Sequence, residues 1–318
     1  MAEMSRRAWL TGSAAALAGT SAFASAPKAI TQAPGIYRMK LGDYQVTALY
    51  DGVWRVPIDD AFVRNAPRSA VNTALGAAFL PPNVLQVTFT VLLVNTGSRL
   101  ILIDTGTAGQ VANTAGFMMA HLAAAGIEAG AIDTILISHF HPDHIDGLKT
   151  KDGEKVFANA EVFVPEPEWA YWMDDTEMNK APDRIKVYFR NARRIFSDIA
   201  KNVRHFKPGA EVAPGIVSMP AFGHTPGHTA FAVASGNRSL LVMGDAVRNP
   251  YLFARHPEWQ PAFDMDGPLA VATRKRMLDR AAADRMLVEA YHFPFPACGH
   301  IARSGKGYDF VPLMWQPL

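Results

Sequence analysis

The sequence has little cysteine, little net charge and no serine-hydrolase motif. A single cysteine among 318 residues, Cys298, excludes a disulfide framework and any cysteine-rich zinc module. We expect it to be a buried, inert thiol, although two nearby histidines make a ligand role conceivable. The net charge of +2, without a basic run interleaved with aromatics, gives no reason to expect a nucleic-acid partner. The absence of Gly-x-Ser-x-Gly removes the usual source of a serine nucleophile.

The N-terminal stretch is treated separately from the rest of the chain. Residues 5–10, Ser-Arg-Arg-Ala-Trp-Leu, resemble a twin-arginine export motif, and an Ala-rich stretch with a small-residue cleavage site follows them. That stretch is too short and too rich in Gly and Ser for a membrane span. We predict a cleaved leader over residues 1–30 and a periplasmic or secreted protein, with an Ala-rich tail as the alternative. The whole chain is 49% hydrophobic, and residues 31–318 can bury a substantial core as one large domain or as two merged halves.

An apolar run that predicts a buried strand, Thr134–Ser138, ends in a dense group of polar residues. These are His139, His141, Asp143 and His144. The first two histidines are two positions apart, so in extended backbone they point to one side. The intervening proline breaks the strand, and the turn directs the last two residues towards a second point nearby. Neutral imidazole and carboxylate are the usual non-sulfur ligands of zinc, so the pattern predicts a metal site.

The pattern His-x-His-x-Asp-His resembles the hallmark of the metallo-β-lactamase fold superfamily. Three further stretches fit the same family in the same order: Leu102–Gly106, Gly223–His228 and Val242–Asp245. The resemblance implies an α/β fold of the α+β type, an αββα sandwich of two mixed sheets with helices on the outer faces. The alternation of predicted strands and helices, including helices over 110–125, 183–200 and 267–283, agrees with such a layered architecture.

The resemblance also implies a set of ligands for two metals. They are His139, His141 and His228 for the first metal and Asp143, His144 and His292 for the second, with Asp245 shared. His224 is interpreted as a turn residue or as a support behind the ligands. His292 is preferred to His300 because it directly follows the predicted strand 287–291; if neither binds, the centre holds one metal. By resemblance Asp104 supports the metal centre, and a plain turn aspartate is the alternative.

The implied chemistry is hydrolysis. Two divalent ions, Zn²⁺ first and Mn, Co or Fe as alternatives, would ionise a bridging water, because bound zinc lowers its pKa from 15.7 to about 7. Asp143, Asp245 and Asp104 then belong to the catalytic centre. The tail, residues 291–300 and 305–308, is similar to methyl parathion hydrolase and its relatives, which implies neutral esters, lactones or phosphotriesters, organophosphates included, as substrates.

Three other functions remain open. An acyl-homoserine lactonase is the first, although the tyrosine typical of those enzymes, three places after the bridging aspartate, is replaced here by Arg248. An iron-dependent sulfur dioxygenase and a non-catalytic periplasmic metal carrier of the same fold are the others. The resemblance further suggests a homodimer.

Large apolar side chains near the motifs are candidates for a substrate pocket. They are Phe62, Phe79, Trp169, Trp172 and Tyr188. The two phenylalanines lie in an irregular stretch, residues 62–82, of the kind that often forms a lid or binding loop. The two tryptophans belong to an aromatic group too crowded for one helix face, and the tyrosine to the amphipathic helix predicted over 183–200. Packing in the core is the alternative for each.

Overall fold

Two seven-stranded sheets form the centre of the structure, a computed structural model that describes residues 28–318. The first seven strands of the chain form one sheet, and the last seven form the other. The first sheet contains β1 (Ile36–Leu41), β2 (Tyr44–Pro57), β3 (Val84–Asn95), β4 (Leu100–Ile103), β5 (Thr134–Leu136), β6 (Glu161–Pro165) and β7 (Val203–Phe206). The second contains β8 (Glu211–Ala213), β9 (Ile216–Pro220), β10 (Thr229–Ser235), β11 (Arg238–Val242), β12 (Leu287–Glu289), β13 (Cys298–Ser304) and β14 (Gly307–Pro312). Both sheets are mixed: β4 to β7 are parallel neighbours, as are β11 and β12.

Helices cover the outer faces of the sheets. They are α1 (Arg68–Ala77), α2 (Met118–Ala124), α3 (Pro142–Ile145), α4 (Glu166–Met173), α5 (Asp175–Lys180), α6 (Asp183–Phe196) and α7 (Gly267–Ala283). Helix α6 buries its apolar positions at helical spacing, including Phe189, Ala192 and Ile195, as its sequence predicts. Helix α7 begins after Asp266, whose side chain accepts a hydrogen bond from the backbone of Leu269.

Three apolar layers account for the sandwich. Between the sheets, side chains such as Leu92 and Ile103 of the first sheet pack with Phe231 and Leu240 of the second. The outer face of the first sheet packs under α1, α2, α4 and α6, and that of the second packs under α7. Each sheet therefore buries both faces, which explains the nearly continuous apolar runs of its central strands. The predicted αββα fold is confirmed.

Two segments differ from the sequence prediction. The helix predicted from residue 110 begins only at Met118, because Gly116 has a positive φ of 98° and donates its N–H to the carbonyl of Asp51. The strand predicted over 287–291 ends at Glu289, and the hairpin of β13 and β14 after it was not predicted.

The predicted leader lies outside the described residues except for positions 28–30, so export stays a prediction. Across residues 28–318, no helix combines the length and hydropathy needed to cross a membrane.

Candidate metal centre

The predicted ligands meet at one end of the sandwich, in loops that follow the strands. His139 comes shortly after β5, and Asp104 directly follows the neighbouring parallel strand β4. In the facing sheet, Asp245 and His292 come after the parallel strands β11 and β12. Parallel strands end at the same edge of a sheet, so each sheet delivers its polar residues to one place. The sheet ends thereby bring together residues that are far apart in sequence.

Three imidazoles and one carboxylate form what we call the first cluster: His139, His141, His224 and Asp245. The Nε2 atoms of His139 and His224 lie 3.0 and 2.9 Å from Nδ1 of His141. Burial, and then the nearby imidazoles, lower the pKa of His139 and of His141 well below the ordinary value. Both rings are therefore neutral, which is the form that binds metal.

Asp143, His144 and His292 form the second cluster. Oδ2 of Asp143 lies 3.3 Å from Nε2 of His144 and 3.5 Å from Nε2 of His292. Burial acts to lower the pKa of His144, but the surrounding carboxylates, Asp143 first, raise it well above the ordinary value. The structure brings together these three residues, which the sequence analysis assigned to one metal, and His300 lies outside both clusters.

Asp245 belongs to the first cluster and also contacts the second. Its Oδ2 is 3.2 Å from Nε2 of His224 in the first cluster and 3.0 Å from Nε2 of His292 in the second. Its Oδ1 is 3.3 Å from Nε2 of His144. A carboxylate in this position can hold two cations about 3.5 to 4 Å apart. The arrangement agrees with the bridging place expected for Asp245.

Two unpaired atoms at the centre test whether metals fit. Nε2 of His144 and Oδ1 of Asp245 are buried and face each other at 3.3 Å, but neither atom makes a hydrogen bond within residues 28–318. Such atoms are rare in proteins unless a ligand or water pairs with them. Nitrogen and carboxylate oxygen donors at this density fit two divalent cations. Cys298 is in neither cluster, and burial raises the pKa of its thiol well above the ordinary value, as expected for an inert side chain.

Asp104 positions His144 of the second cluster through a contact with the ring nitrogen that faces away from the cluster. Its carboxylate accepts hydrogen bonds from the backbone N–H and the hydroxyl of Ser138, at 2.8 and 2.7 Å. It also lies 2.8 Å from Nδ1 of His144, a contact that holds a proton on Nδ1 and directs Nε2 towards Asp143 and Asp245, each at 3.3 Å. Asp104 has a positive φ of 59°, a conformation that aspartate tolerates better than most residues.

The ligand role expected for His228 is corrected to His224. Nδ1 of His228 donates to the carbonyl of Ala221 at 3.0 Å, and its Nε2 accepts from the backbone N–H of Asp245 at 3.0 Å. Both of its nitrogens are therefore used within the protein. His224 instead contacts Asp264 through Nδ1, at 2.9 Å, and directs Nε2 into the first cluster. Asp264 is itself fixed by the buried Arg274 at 2.7 Å.

Glu168 joins the two loops of the first cluster and was missed in the sequence. Oε1 accepts hydrogen bonds from the backbone N–H of Phe140, at 3.0 Å, and from Nε1 of Trp172. Oε2 accepts from the hydroxyl of Thr225, at 2.8 Å, and from the backbone N–H of Gly227, at 2.7 Å. The side chain is fully buried. In the sequence it looks like an ordinary acid in the first turn of a helix, and no local signal marks it as a connector.

Two neighbouring cavities open beside the clusters. The larger has a volume of about 590 Å³ and includes His141 and Asp143 in its wall; the smaller has a volume of about 280 Å³. Both are lined by His141, Tyr188 and Phe263. The ring of Tyr188 lies 5.1 Å from that of His141, so its predicted place in a pocket beside the site agrees with the structure. Trp54, Arg248 and Phe263 also line the larger cavity and were not proposed for it from the sequence.

The other four aromatic candidates lie outside these two cavities. Phe79 is 98% exposed at the turn after α1, so it is not a pocket wall in this structure. Trp172 is fully buried, and its indole N–H donates a hydrogen bond to Glu168. Trp169 packs against Phe140 and Phe196 in the core. Phe62 is buried behind the larger cavity, where it contacts Phe263. Packing, the alternative reading, describes the last three.

The fold and the paired clusters define a protein with a candidate metal site, in two parts, at the end of an αββα sandwich. Residues 84–288, more than half of the chain, match the Metallo-beta-lactamase superfamily. The chain belongs to that superfamily.

Curated relatives are similar over part of their length. A probable metallo-hydrolase of Mycobacterium tuberculosis is 30% identical over 185 residues, which covers 49% of this chain and 56% of that protein. The beta-lactamase-like protein 2 homolog of Drosophila melanogaster is 34% identical over 174 residues, covering 51% of this chain and 48% of that protein. The match thus spans about half the length of these relatives.

Two solved structures are similar over nearly the whole fold. The hydrolase AbOPH of the beta lactamase superfamily superposes with a TM-score of 0.84 at 29% identity, covering 90% of this chain and 100% of that one. AidC, a dizinc quorum-quenching lactonase solved with a product, N-hexanoyl-L-homoserine, also gives 0.84, at 27% identity, with 89% and 99% covered.

Proposed function

We propose that the protein is a dinuclear metal-dependent hydrolase of esters, lactones or phosphotriesters whose reacting group carries no charge. The observation that carries the proposal is Asp245, which contacts imidazoles of both clusters at 3.0 to 3.3 Å beside a cavity large enough for a small molecule. A purely structural metal site would be closed, whereas a catalytic site keeps a side open to substrate. His141 and Asp143 line the larger cavity and so give the site that open side.

The side chains would have three kinds of role in such an enzyme: holding the metals, positioning the residues that hold them, and contacting the substrate. His139, His141 and His224 would hold the first metal, and Asp143, His144 and His292 the second, with Asp245 between them. When bound, the two ions supply a hydroxide nucleophile from water near neutral pH and polarise the substrate oxygen. Asp104 fixes the proton of His144 on Nδ1, and Glu168 fixes the loops of the first cluster. Tyr188, Trp54 and Phe263 offer apolar surface to the substrate.

The preferred reading within this class is a methyl parathion hydrolase-like enzyme that acts on organophosphates and lactones. The likeness to AbOPH supports a hydrolase of this general shape. An acyl-homoserine lactonase is the second candidate, and the likeness to the dizinc lactonase AidC favours it. We further propose zinc as the metal, with Mn, Co or Fe as alternatives, export through the leader at residues 1–30 into the periplasm or beyond, and assembly as a homodimer.

Metal quantification on the purified mature protein, combined with a substrate panel, tests the function. The panel contains aryl esters, aryl lactones, acyl-homoserine lactones and methyl phosphotriesters, assayed with and without oxygen. We expect about two metal ions per chain and hydrolysis that does not require oxygen. Iron together with oxygen consumption on a persulfide would instead indicate a sulfur dioxygenase. A metal-loaded protein that is inactive on every compound would indicate a carrier and overturn the proposal.

A further inference from the structure

Arg248 places a buried cation in the wall of the larger cavity. Its side chain is only 9% exposed, and its guanidinium carbon lies 4.4 Å from the centre of the Phe263 ring. It lines the same cavity as His141 and Asp143, immediately beside both clusters. A guanidinium stays protonated at any physiological pH, so the wall carries a permanent positive charge at this point.

Among the residues that the structure describes, Arg248 has no carboxylate partner of its own, because the nearest one is shared with the metal clusters. Within residues 28–318, the one carboxylate within 4 Å of its guanidinium is Asp245, whose Oδ2 is 3.5 Å from Nε and is already shared between the two clusters. Asp264, the other buried carboxylate nearby, is paired with Arg274 at 2.7 Å and with His224 at 2.9 Å. The remaining N–H groups of the guanidinium therefore have no carboxylate of their own and are available to the cavity.

The rest of the cavity wall combines apolar surface with further positive charge. Trp54, Val111 and Phe263 are its apolar part. Lys151 lies at its rim, and Arg184 lines the adjoining smaller cavity. The wall also contains two acids: Asp143 belongs to the second cluster, and Asp146 accepts a hydrogen bond from Asn191 at 2.7 Å and lies 3.6 Å from Arg194, which also lines the cavity.

A substrate that filled this cavity would displace water from a buried guanidinium. Removing a charge from water without pairing it costs free energy. A fully neutral and apolar substrate would therefore bind more weakly, because it would desolvate the guanidinium without pairing with it. A carboxylate removes that penalty, because its two oxygens match the planar fork of an arginine. The aromatic surface beside it suits the uncharged part of the same molecule.

We propose that Arg248 recognises a carboxylate carried by the substrate next to its neutral reacting group. The substrate class is thus an ester or lactone with an apolar portion and one carboxylate, and Arg248 is the residue that selects it. This inference rests on the proposed hydrolase function and narrows its substrates.

A matched pair of esters tests the selection. Mono(4-nitrophenyl) glutarate and 4-nitrophenyl valerate differ only in that a carboxylate replaces a methyl group at the end of the acyl chain. The quantity measured is the ratio of kcat/KM for the anionic ester to kcat/KM for the neutral ester. This ratio does not depend on the fraction of metal-loaded enzyme, so partial metal loss in a variant does not affect it. If the substrate panel shows that only lactones are turned over, the same pair is built on a lactone.

Arg248→Met removes the charge but keeps a long apolar side chain against Phe263. We expect the ratio to fall about 10- to 100-fold, because hydrogen bonds to charged groups contribute on that scale. Arg248→Lys keeps the charge without the planar fork and should give an intermediate ratio. Arg190→Met is the matched control: Arg190 is exposed on α6, lines neither cavity, and should leave the ratio unchanged.

Two outcomes separate this inference from the function on which it rests. A ratio in Arg248→Met within twofold of the wild-type ratio overturns the role of Arg248 while the hydrolase stands. Absence of turnover of any ester, lactone or phosphotriester by the metal-loaded wild type overturns the proposed function, and this inference with it.

Discussion

The two metal clusters differ in the group that joins their loops. In the first cluster, one buried carboxylate, Glu168, accepts four hydrogen bonds and ties the loop of His139 and His141 to the turn that carries His224. In the second cluster, the link is the hydroxyl of Tyr291, which donates one hydrogen bond to the carbonyl of Asp143 at 2.6 Å.

The remaining support in the second cluster comes from Thr105, whose hydroxyl and backbone N–H donate to the carbonyl of His144 at 2.8 and 2.9 Å, from packing, and from the ligand rings themselves. The ring of Tyr291 lies 4.1 Å from that of His144, and the Nδ1 atoms of His144 and His292 contact Asp104 and the carbonyl of Thr88, each at 2.8 Å. The first cluster therefore depends on a polar connector that an apolar residue cannot replace. The second cluster depends on ring packing and on hydrogen-bond partners that each contact one imidazole. We therefore expect the second cluster to tolerate the loss of a single hydrogen bond better than the first cluster does.

The largest effect is expected where a ligand is removed outright. His144→Ala or Asp143→Ala should lower the metal content towards one ion per chain and abolish turnover, since both side chains belong to the second cluster and His144 also faces Asp245. His300→Ala is the control, because His300 lies outside both clusters and should keep full metal content. Metal analysis and the substrate panel measure both effects. Unchanged activity in either ligand variant would remove the second cluster from the mechanism.

The next effect tests the connector of the first cluster. In Glu168→Gln the amide NH₂ cannot accept the hydrogen bonds that one carboxylate oxygen accepts now, so two of the four are lost. We expect about 10- to 100-fold weaker binding of one metal, as for other partners behind metal ligands, with the second metal retained. Chelator competition gives the two affinities, and the visible spectrum of the cobalt-substituted protein reports which site has changed.

Glu166→Gln is the matched control for that experiment, since Glu166 is exposed on the same helix two residues earlier. Equal weakening of both metals in Glu168→Gln, or the same loss in Glu166→Gln, would contradict a connector that serves the first cluster alone.

The sequence was sufficient to identify the candidate ligands that come within a few residues of the ends of strands β5, β11 and β12. His139, His141, Asp143, His144, Asp245 and His292 all meet at one place, because the ends of parallel strands define where such residues lie. It was not sufficient to choose between His224 and His228, which are four positions apart in one turn. That choice depends on which ring finds partners elsewhere: Asp264 for His224, and Ala221 with the backbone of Asp245 for His228.

The cavity wall was the least predictable part for a similar reason. Trp54 is far along the chain from Arg248 and Phe263, and the three meet only in the folded protein. Phe79 and Trp172 have the size and polarity of pocket residues, but one is exposed and the other is buried against Glu168. Residue type predicts that a side chain is suitable for a pocket, whereas tertiary contacts decide whether it reaches one.

A smaller effect is expected at His228, and it sharpens the boundary of the first cluster. His228→Asn removes the acceptor of the buried Asp245 N–H, which should lower the free energy of unfolding by about 1 to 3 kcal/mol. The metal content should stay at the wild-type level, because His228 is not in the cluster. His224→Asn is the paired variant and should lose a metal. Metal loss in His228→Asn at full folded yield would return His228 to the ligand set.

The smallest effect is expected at Tyr291, and it decides whether the clusters are supported as differently as their contacts indicate. Tyr291→Phe keeps the aromatic ring beside His144 and removes only the hydrogen bond to the carbonyl of Asp143. We expect the free energy of unfolding to fall by about 0.5 to 1.5 kcal/mol and the affinity for the second metal to change less than tenfold. Urea unfolding of the metal-loaded protein and chelator competition measure the two quantities. If Tyr291→Phe instead weakened the second metal as much as Glu168→Gln weakens the first, a single hydroxyl would be as necessary as a four-bonded carboxylate, and ring packing would contribute little to holding the second cluster.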